Sequence, residues 1–291
     1  MEPQLAVSYR CAETVARSRA RNFYYSFIVL PPEKRRALCA VYAFMRHCDD
    51  ITDGNASVDD KREMLRRWRA DLDAALSGDS DGNPILPAFR DAVRRYSIPA
   101  QYFHWLIDGA EMDLMVHRYE TFESLYRYCF HVASSVGLVC LQIFGFSDEL
   151  AKKHAEHCGI AFQLTNILRD LKEDAGMGRI YLPAEDMKRF DYGAEDLQRG
   201  IVDERFRRLM TFETNRAQEY FDRARPLLQL IDKPSQPALW AMMEIYGRIL
   251  QKIVRRGYDV FSSAINLSNP AKASIACKAI TLRLIRGIQA R

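Results

Sequence analysis

The chain has 291 residues, with 42 Lys and Arg against 38 Asp and Glu, so its formal net charge is only +4. That balance lacks the basic excess of a nucleic-acid binder, and 48% hydrophobic with 27% charged residues describes a globular chain with ample core. Seven cysteines, an odd number with no C-x-x-C pair, read as free thiols in a reducing compartment. The N-terminus shows no signal-peptide pattern. The longest apolar run, Val132 to Phe146, is interrupted by Ser134, Ser135 and Gln142 and is short for a bilayer span. These features predict a cytoplasmic protein.

Residues 8–30 read as helical, with Arg17, Arg19 and Arg21 leading into Phe23, Tyr24, Tyr25 and Phe27. Pro31 and Pro32 mark a boundary, and a second helix begins at Glu33. It runs into VYAFMRHCDDITDG, residues 41–54, where Asp49 and Asp53 stand four apart after an apolar helical pattern. A polar loop over 54–60, a helix from Lys61 to Leu76 with Trp68 on its apolar side, and a loop at 77–84 follow. Two helices fill 84–117, separated near Ser97–Pro99. The second carries Asp108, Glu111 and Asp113, read as a solvated or salt-bridged face in preference to an extra acidic cluster near the cleft. The helix from Thr121 carries Tyr126 and Tyr128, then His131, Ala133, Ser134, Ser135 and Gly137. Its small residues either line a channel or mark a close helix contact.

The stretch HCGIAFQLTNILRDLKEDAGMGRIYLP, residues 157–183, organises the chain. Asn166, Asp170 and Asp174 follow at four-residue spacing, so a helix puts them on one face. Gly176 and Gly178 end the helix, and Arg179 and Tyr181 follow on a turn before Pro183. At least one long helix is expected within 184–232, ending near Pro226, and another over 236–263 with Tyr246 and Tyr258. Residues 270–291 form a basic amphipathic helix, either packed on the domain or docked on an anionic bilayer. No period-two alternation appears. The prediction is an all-α chain with 1–291 as a single domain.

Two Asp-bearing helices facing across an apolar, aromatic space bring four or five carboxylates together. Oxygen ligands of that kind suit a hard divalent cation, above all Mg²⁺. Such a site can grip a diphosphate, with Arg46, Arg169 and Arg179 assisting through charge-assisted hydrogen bonds. Arg46 also lies within salt-bridge reach of Asp49 or Asp50, and Arg169 is turned about 100° from Asp170 on an ideal helix. Departure of the diphosphate leaves an allylic cation, which the ring faces of Phe23, Phe27 and Tyr128 can stabilise without trapping. The implied substrate is a prenyl diphosphate. The four His at 47, 131, 154 and 157 show no ligand spacing with a catalytic acid, and the run His154 to His157 reads as surface.

At NFYYSFIVLP (22–31), YAFMRHCDDITD (42–53), YETFESLYRYCFHVASSVG (119–137) and GIAFQLTNILRDLKEDAGMGRIYLP (159–183), the sequence resembles the squalene/phytoene synthase family. The N-terminal block resembles its bacterial presqualene diphosphate synthase branch. The resemblance implies a class I isoprenoid synthase helical bundle around a central apolar cleft. It implies Mg²⁺, with Mn²⁺ as an alternative, held by Asp49, Asp53, Asp170 and Asp174 with Asn166 alongside. It implies diphosphate contacts from Arg46, Arg169 and Tyr246, and places Tyr42, Tyr128 and Tyr181 near the reacting carbons. Phe23, Phe27, Val132, Val136, Gln163 and Leu164 would line the substrate channel. The implied reaction joins two farnesyl diphosphates to presqualene diphosphate, with NADPH required only if it continues to squalene. Phytoene or dehydrosqualene synthesis, or a non-catalytic assembly factor of the same fold, are the alternatives. Monomer and homodimer both remain open, as does peripheral contact with the inner face of a membrane.

The chain departs from the family pattern at two places. Ser262, Ser263 and Ala264 stand where an arginine is expected, and Ala20 and Asn22 replace small hydroxyl residues. Both bear on the grip of one of the two diphosphates.

Overall fold

The computed structural model describes residues 3–78 and 82–288. The side chains of Arg21, Asn22, Ile285, Arg286 and Ile288, and the whole of Arg291, lie outside the described residues. Among the described residues the chain is all helical, and its only sheet-like pairings are two isolated bridges, Arg118 with Ile180 and Phe146 with Ile231.

The first half contains α1 (Pro3–Arg19), α2 (Arg21–Phe27), α3 (Pro32–Asp53), α4 (Val58–Ser77), α5 (Leu86–Arg95) and α6 (Ala100–Met115). Next come α7 (Phe122–Cys129), a π-helical turn (Phe130–Ser134), α8 (Ser135–Phe144) and α9 (Leu150–Gly176). The short helices α10 (Ala184–Arg189) and α11 (Ala194–Gln198) lead to α12 (Glu204–Ala224) and α13 (Leu227–Leu230). The chain ends in α14 (Gln236–Arg255) and α15 (Asn269–Ile288).

Local chemistry sets most boundaries. Pro32 opens α3, where its missing N–H costs nothing. Ser57 caps α4 by accepting from the Asp60 amide at 3.1 Å, and Gly78 closes it at φ 117. Asp203 caps α12 from the Phe206 amide. The long helix expected within 184–232 is α12, which stops just before Pro226 and is preceded by the two short helices. Two expectations need correction. The helix expected over 8–30 breaks at Ala20 into α1 and α2 and stops at Phe27. The helix expected over 236–263 ends at Arg255. Beyond it, Asp259 accepts from the amides of Phe261 and Ser262 and holds a loop.

One contiguous apolar core runs through the bundle, with α9 at its centre packed on α8, α12, α14 and the π turn. On the far side of α3, Phe44 stacks between Trp68 and Phe89, with Phe103 edge-on. By length and composition the continuous rod Phe122–Phe144 is apolar enough to cross a membrane, but half of its most apolar window is buried inside this bundle. α15 packs on α14 and α2: Arg283 donates to the Val29 carbonyl at 2.8 Å and Lys278 lies over the Trp240 ring.

Two glycines let the π turn sit where it does. A Cβ at Gly159 would stand 2.6 Å from Ser134 Cα, and one at Gly109 would stand 2.6 Å from Val132 Cγ1. The turn is therefore clamped between α6 and α9. Ser134 Oγ donates to the Glu156 carbonyl, tying it to α9. The small residues after Tyr128 thus make a close helix contact, and Ala133 and Gly137 line a cavity as well.

Candidate active site

α3 and α9 deliver their polar residues at their C-terminal ends, beside the mouth of a cavity of about 350 Å³. Arg46, Asp49 and Thr52 from α3, Asn166 from α9 and Asp113 from α6 line the polar part. Of the residues expected to form the channel, Phe23, Phe27, Val132, Val136 and Gln163 line it, together with Tyr42 and Tyr128. Leu164 does not. It is 2% exposed and packed in the core, because one step along α9 from Gln163 turns it about 100° away from the cavity face.

Tyr181 and Tyr246 stand one layer behind the wall. Tyr246 is stacked on Phe162 at 4.2 Å and tilted against Phe23 at 5.5 Å. Burial pushes its phenol up to about 12, against the charge of Arg169 nearby. Tyr181 stacks on Tyr128 at 5.2 Å and on Tyr119 at 5.9 Å, and its hydroxyl donates to Asp113 at 2.8 Å.

Of the acidic trio Asp108, Glu111 and Asp113, the solvated-face reading holds for the first two and fails for Asp113, which belongs to the site. Asp108 and Glu111 do form a surface pair with Arg69, at 2.7 and 3.4 Å. Asp113 faces the cavity instead, and burial raises its carboxyl against the pull of Tyr181, Tyr128 and Arg179. The helical angle carried the signal: five residues on from Asp108 is a rotation of about 140°.

The carboxylates differ in their partners. Arg46 holds Asp50 at 2.6 Å and reaches Asp49 and Asp53 only at 3.5 and 3.4 Å. Arg19 adds a second contact to Asp50 at 3.0 Å. Arg169 folds back onto its neighbour, and its Nε and Nη2 donate to the two oxygens of Asp170 at 2.7 and 2.5 Å. The long side chain overcomes the helical offset between them. Arg169 and Asp170 line a second, more polar cavity of about 1000 Å³, with Arg17, Lys172 and Lys272 on its walls.

Burial pushes the Asp49 carboxyl up to about 7, opposed by Arg46 and reinforced by Asp53 and Asp113. Its side chain is still 60% accessible, because it opens on the cavity mouth rather than into packed core. Burial, then Asp170, raises Asp174 to about 7, opposed by Arg179. Asn166 Oδ1 is buried without a hydrogen-bond partner.

Among the described residues no three Asp, Glu, His or Cys groups converge as a ready metal cage. The expected convergence of four carboxylates is therefore partial: they share one end of the bundle across two helices without meeting. The donors still fit a hard cation. They are all oxygen, they carry surplus negative charge, and one amide oxygen is unpartnered. Waters and a ligand's phosphate oxygens would complete the shell.

The loop after α14 shows what replaces the expected arginine. Ser262 Oγ donates to Asp259 at 2.5 Å, and Ser263 Oγ accepts from Arg256 at 2.8 Å. Ser263 and Ala264 line the second cavity. His154 and His157 are half-buried rather than surface residues: His154 Nδ1 lies 2.6 Å from the Arg223 carbonyl and His157 packs on Tyr220. All seven cysteines are unpaired.

A family profile described as squalene/phytoene synthase matches residues 16–271. The chain belongs to the squalene/phytoene synthase family. Members of this family are head-to-head prenyltransferases, typically Mg²⁺-dependent. The 15-cis-phytoene synthase of Synechococcus elongatus is 34% identical over 269 residues, covering 88% of this chain and 87% of that protein. The phytoene synthase of Mycobacterium tuberculosis is 37% identical over 280 residues, covering 95% and 92%. A solved dehydrosqualene synthase superposes with a TM-score of 0.88 at 27% identity, covering 95% of this chain and 96% of that one. Squalene synthase HpnC from Alicyclobacillus acidocaldarius gives 0.83 at 28%, covering 89% and 97%. The bundle is thus a class I isoprenoid synthase fold like that of dehydrosqualene synthase.

Proposed function

We propose that this family member condenses two prenyl diphosphates head to head, working as one domain over 1–291, and that its product is phytoene from two C20 diphosphates. The observation that carries the reaction type is the cavity: an apolar tube lined by Phe23, Phe27 and Val136, with Arg46, Asp49, Asp113 and Asn166 at one end. The relatives at 34–37% identity are phytoene synthases, which supports the C20 reading over the presqualene diphosphate expected from NFYYSFIVLP.

Asp49 and Asp53 on α3 and Asn166, Asp170 and Asp174 on α9 would hold Mg²⁺. When bound, it neutralises charge on a departing diphosphate. The protein's residues do the rest. Arg46 and Arg169 are each pinned by an aspartate, so their remaining N–H groups are aimed before a diphosphate arrives. Phe23, Phe27 and Tyr128 present ring faces to the cation left behind. The apolar walls exclude the water that would quench it. Asp113 fixes the Tyr181 hydroxyl, and through the stack the Tyr128 ring.

A second reading keeps the C15 substrate, with presqualene diphosphate, squalene or dehydrosqualene as product. The two structural neighbours at 27–28% identity support it. Product analysis with C15 and C20 diphosphates and Mg²⁺, with and without NADPH, tests both. Phytoene from the C20 substrate without reductant is expected. A C30 cyclopropyl diphosphate or a C30 hydrocarbon as the preferred product would favour the second reading, and no condensation product from either substrate would refute both.

A further inference from the structure

Leu38 lines the cavity from α3 eleven residues before Asp49, about 16 Å along the helix axis. Phe144, Leu227 and Leu239 line it too, and all four are buried, so this part of the wall is its floor. Beneath them sits a polar knot. Lys34 Nζ donates to the Phe144 carbonyl at 2.7 Å, to Asp232 Oδ2 at 3.0 Å and to Ser235 Oγ at 3.1 Å. Buried Ser235 donates its own Oγ proton to the same Phe144 carbonyl at 2.8 Å. The Asp232 amide donates to the Gly145 carbonyl at 3.0 Å, and Phe146 bridges to Ile231. The approach is so close that a Cβ at Gly145, where φ is 75, would stand 2.1 Å from Asp232 Oδ2.

The knot satisfies the carbonyls that the end of α8 would otherwise leave unpaired. It also joins the first turn of α3, the end of α8 and the link between α13 and α14. Leu38 sits about one helical turn from Lys34 and Leu239 about one turn from Ser235, Phe144 belongs to the knot itself, and Leu227 opens the short α13 that leads through Ile231 into Asp232. Moving any of the three segments moves a floor residue. Nothing in the chemistry at the other end of the cavity needs a charged cluster here.

We propose that the Lys34–Asp232–Ser235 knot holds the cavity floor at a fixed depth and so sets the longest prenyl chain the cavity admits. The proposal rests on the prenyl diphosphate reading above. Lys34, Asp232 and Ser235 are positioning residues, acting through Leu38, Phe144, Leu227 and Leu239. The knot's strength comes from geometry more than from the ion pair, since Asp232 is 52% exposed while Lys34 is 18% exposed.

The test measures binding rather than turnover. Non-ionisable prenyl thiodiphosphates of C10, C15, C20 and C25 are titrated against wild-type protein, Lys34→Met, Ser235→Ala, Asp232→Asn and Lys34→Arg. The wild type should show a chain length beyond which affinity stops rising. Lys34→Met and Ser235→Ala should move or erase that limit, changing the affinity ratio across it by about tenfold, or ~1.4 kcal/mol. Asp232→Asn, the mildest change, should shift it in the same direction, and Lys34→Arg should keep it. An unchanged limit in every variant that folds and binds the C10 probe would overturn the proposal alone. Failure of the wild type to bind any of the probes would overturn the functional reading and this proposal together.

Discussion

Gly159→Ala tests whether the π turn is clamped as tightly as described. The added Cβ would lie 2.6 Å from Ser134 Cα and 2.7 Å from both the carbon and the oxygen of the Ala133 carbonyl. All three are backbone atoms, so no flexible side chain can swing away. Relief needs α9 and the turn to separate by about 1 Å, and overpacking of this kind costs ~1–3 kcal/mol. For a chain of this length that lowers the melting temperature by roughly 2–5 °C. The displaced turn carries Val132 and Ala133, both cavity residues, so catalytic efficiency should fall together with stability. Gly247→Ala is the control. It lies inside α14 with nothing within 4 Å of a new Cβ, and should stabilise by ~0.5–1 kcal/mol through helix propensity. Thermal unfolding of the two variants beside wild type decides the matter. A Gly159→Ala protein with unchanged melting temperature and activity would refute the clamp.

Three further outcomes follow from the site. Asp174 has its carboxyl raised to about 7 in the folded protein from 3.8, so the folded state holds the extra proton and metal-free stability should fall as pH rises from about 4 to 7. Asp174→Asn should therefore gain stability relative to wild type across that window in denaturant titrations, and a difference independent of pH would discount the burial of this carboxylate. Tyr181→Phe removes a donor to Asp113 and should cost ~1–3 kcal/mol, so an unchanged denaturation midpoint would separate Asp113 from the tyrosine stack. A chelator should abolish turnover and Mg²⁺ restore it, with Asp49→Asn and Asp170→Asn inactive under all conditions. Near wild-type turnover in Asp170→Asn would sink the metal assignment.

How much of this was legible in the chain depends on the range of the interaction. Asp49 and Asp53, and Asn166, Asp170 and Asp174, sit at four-residue spacing, and any helix sets such residues on one face. The apolar period around them, the prolines before α3 and the glycines after α9 are equally local, so the all-α class and the two acidic helices follow from sequence. Period alone gives an angle about a helix's own axis. It does not say which neighbour each face meets. Asp108, Glu111 and Asp113 read as one acidic face until α4 supplies Arg69 to two of them and the tyrosine stack claims the third. Gln163 and Leu164 are neighbours on one helix, both expected in the channel, and only the placement of the cavity on one side of α9 separates them. The same holds for the knot. Lys34, Phe144, Asp232 and Ser235 are up to 201 positions apart, and what brings them together is the packing of three helix ends, whose unpaired carbonyls and charges must find partners once water is excluded.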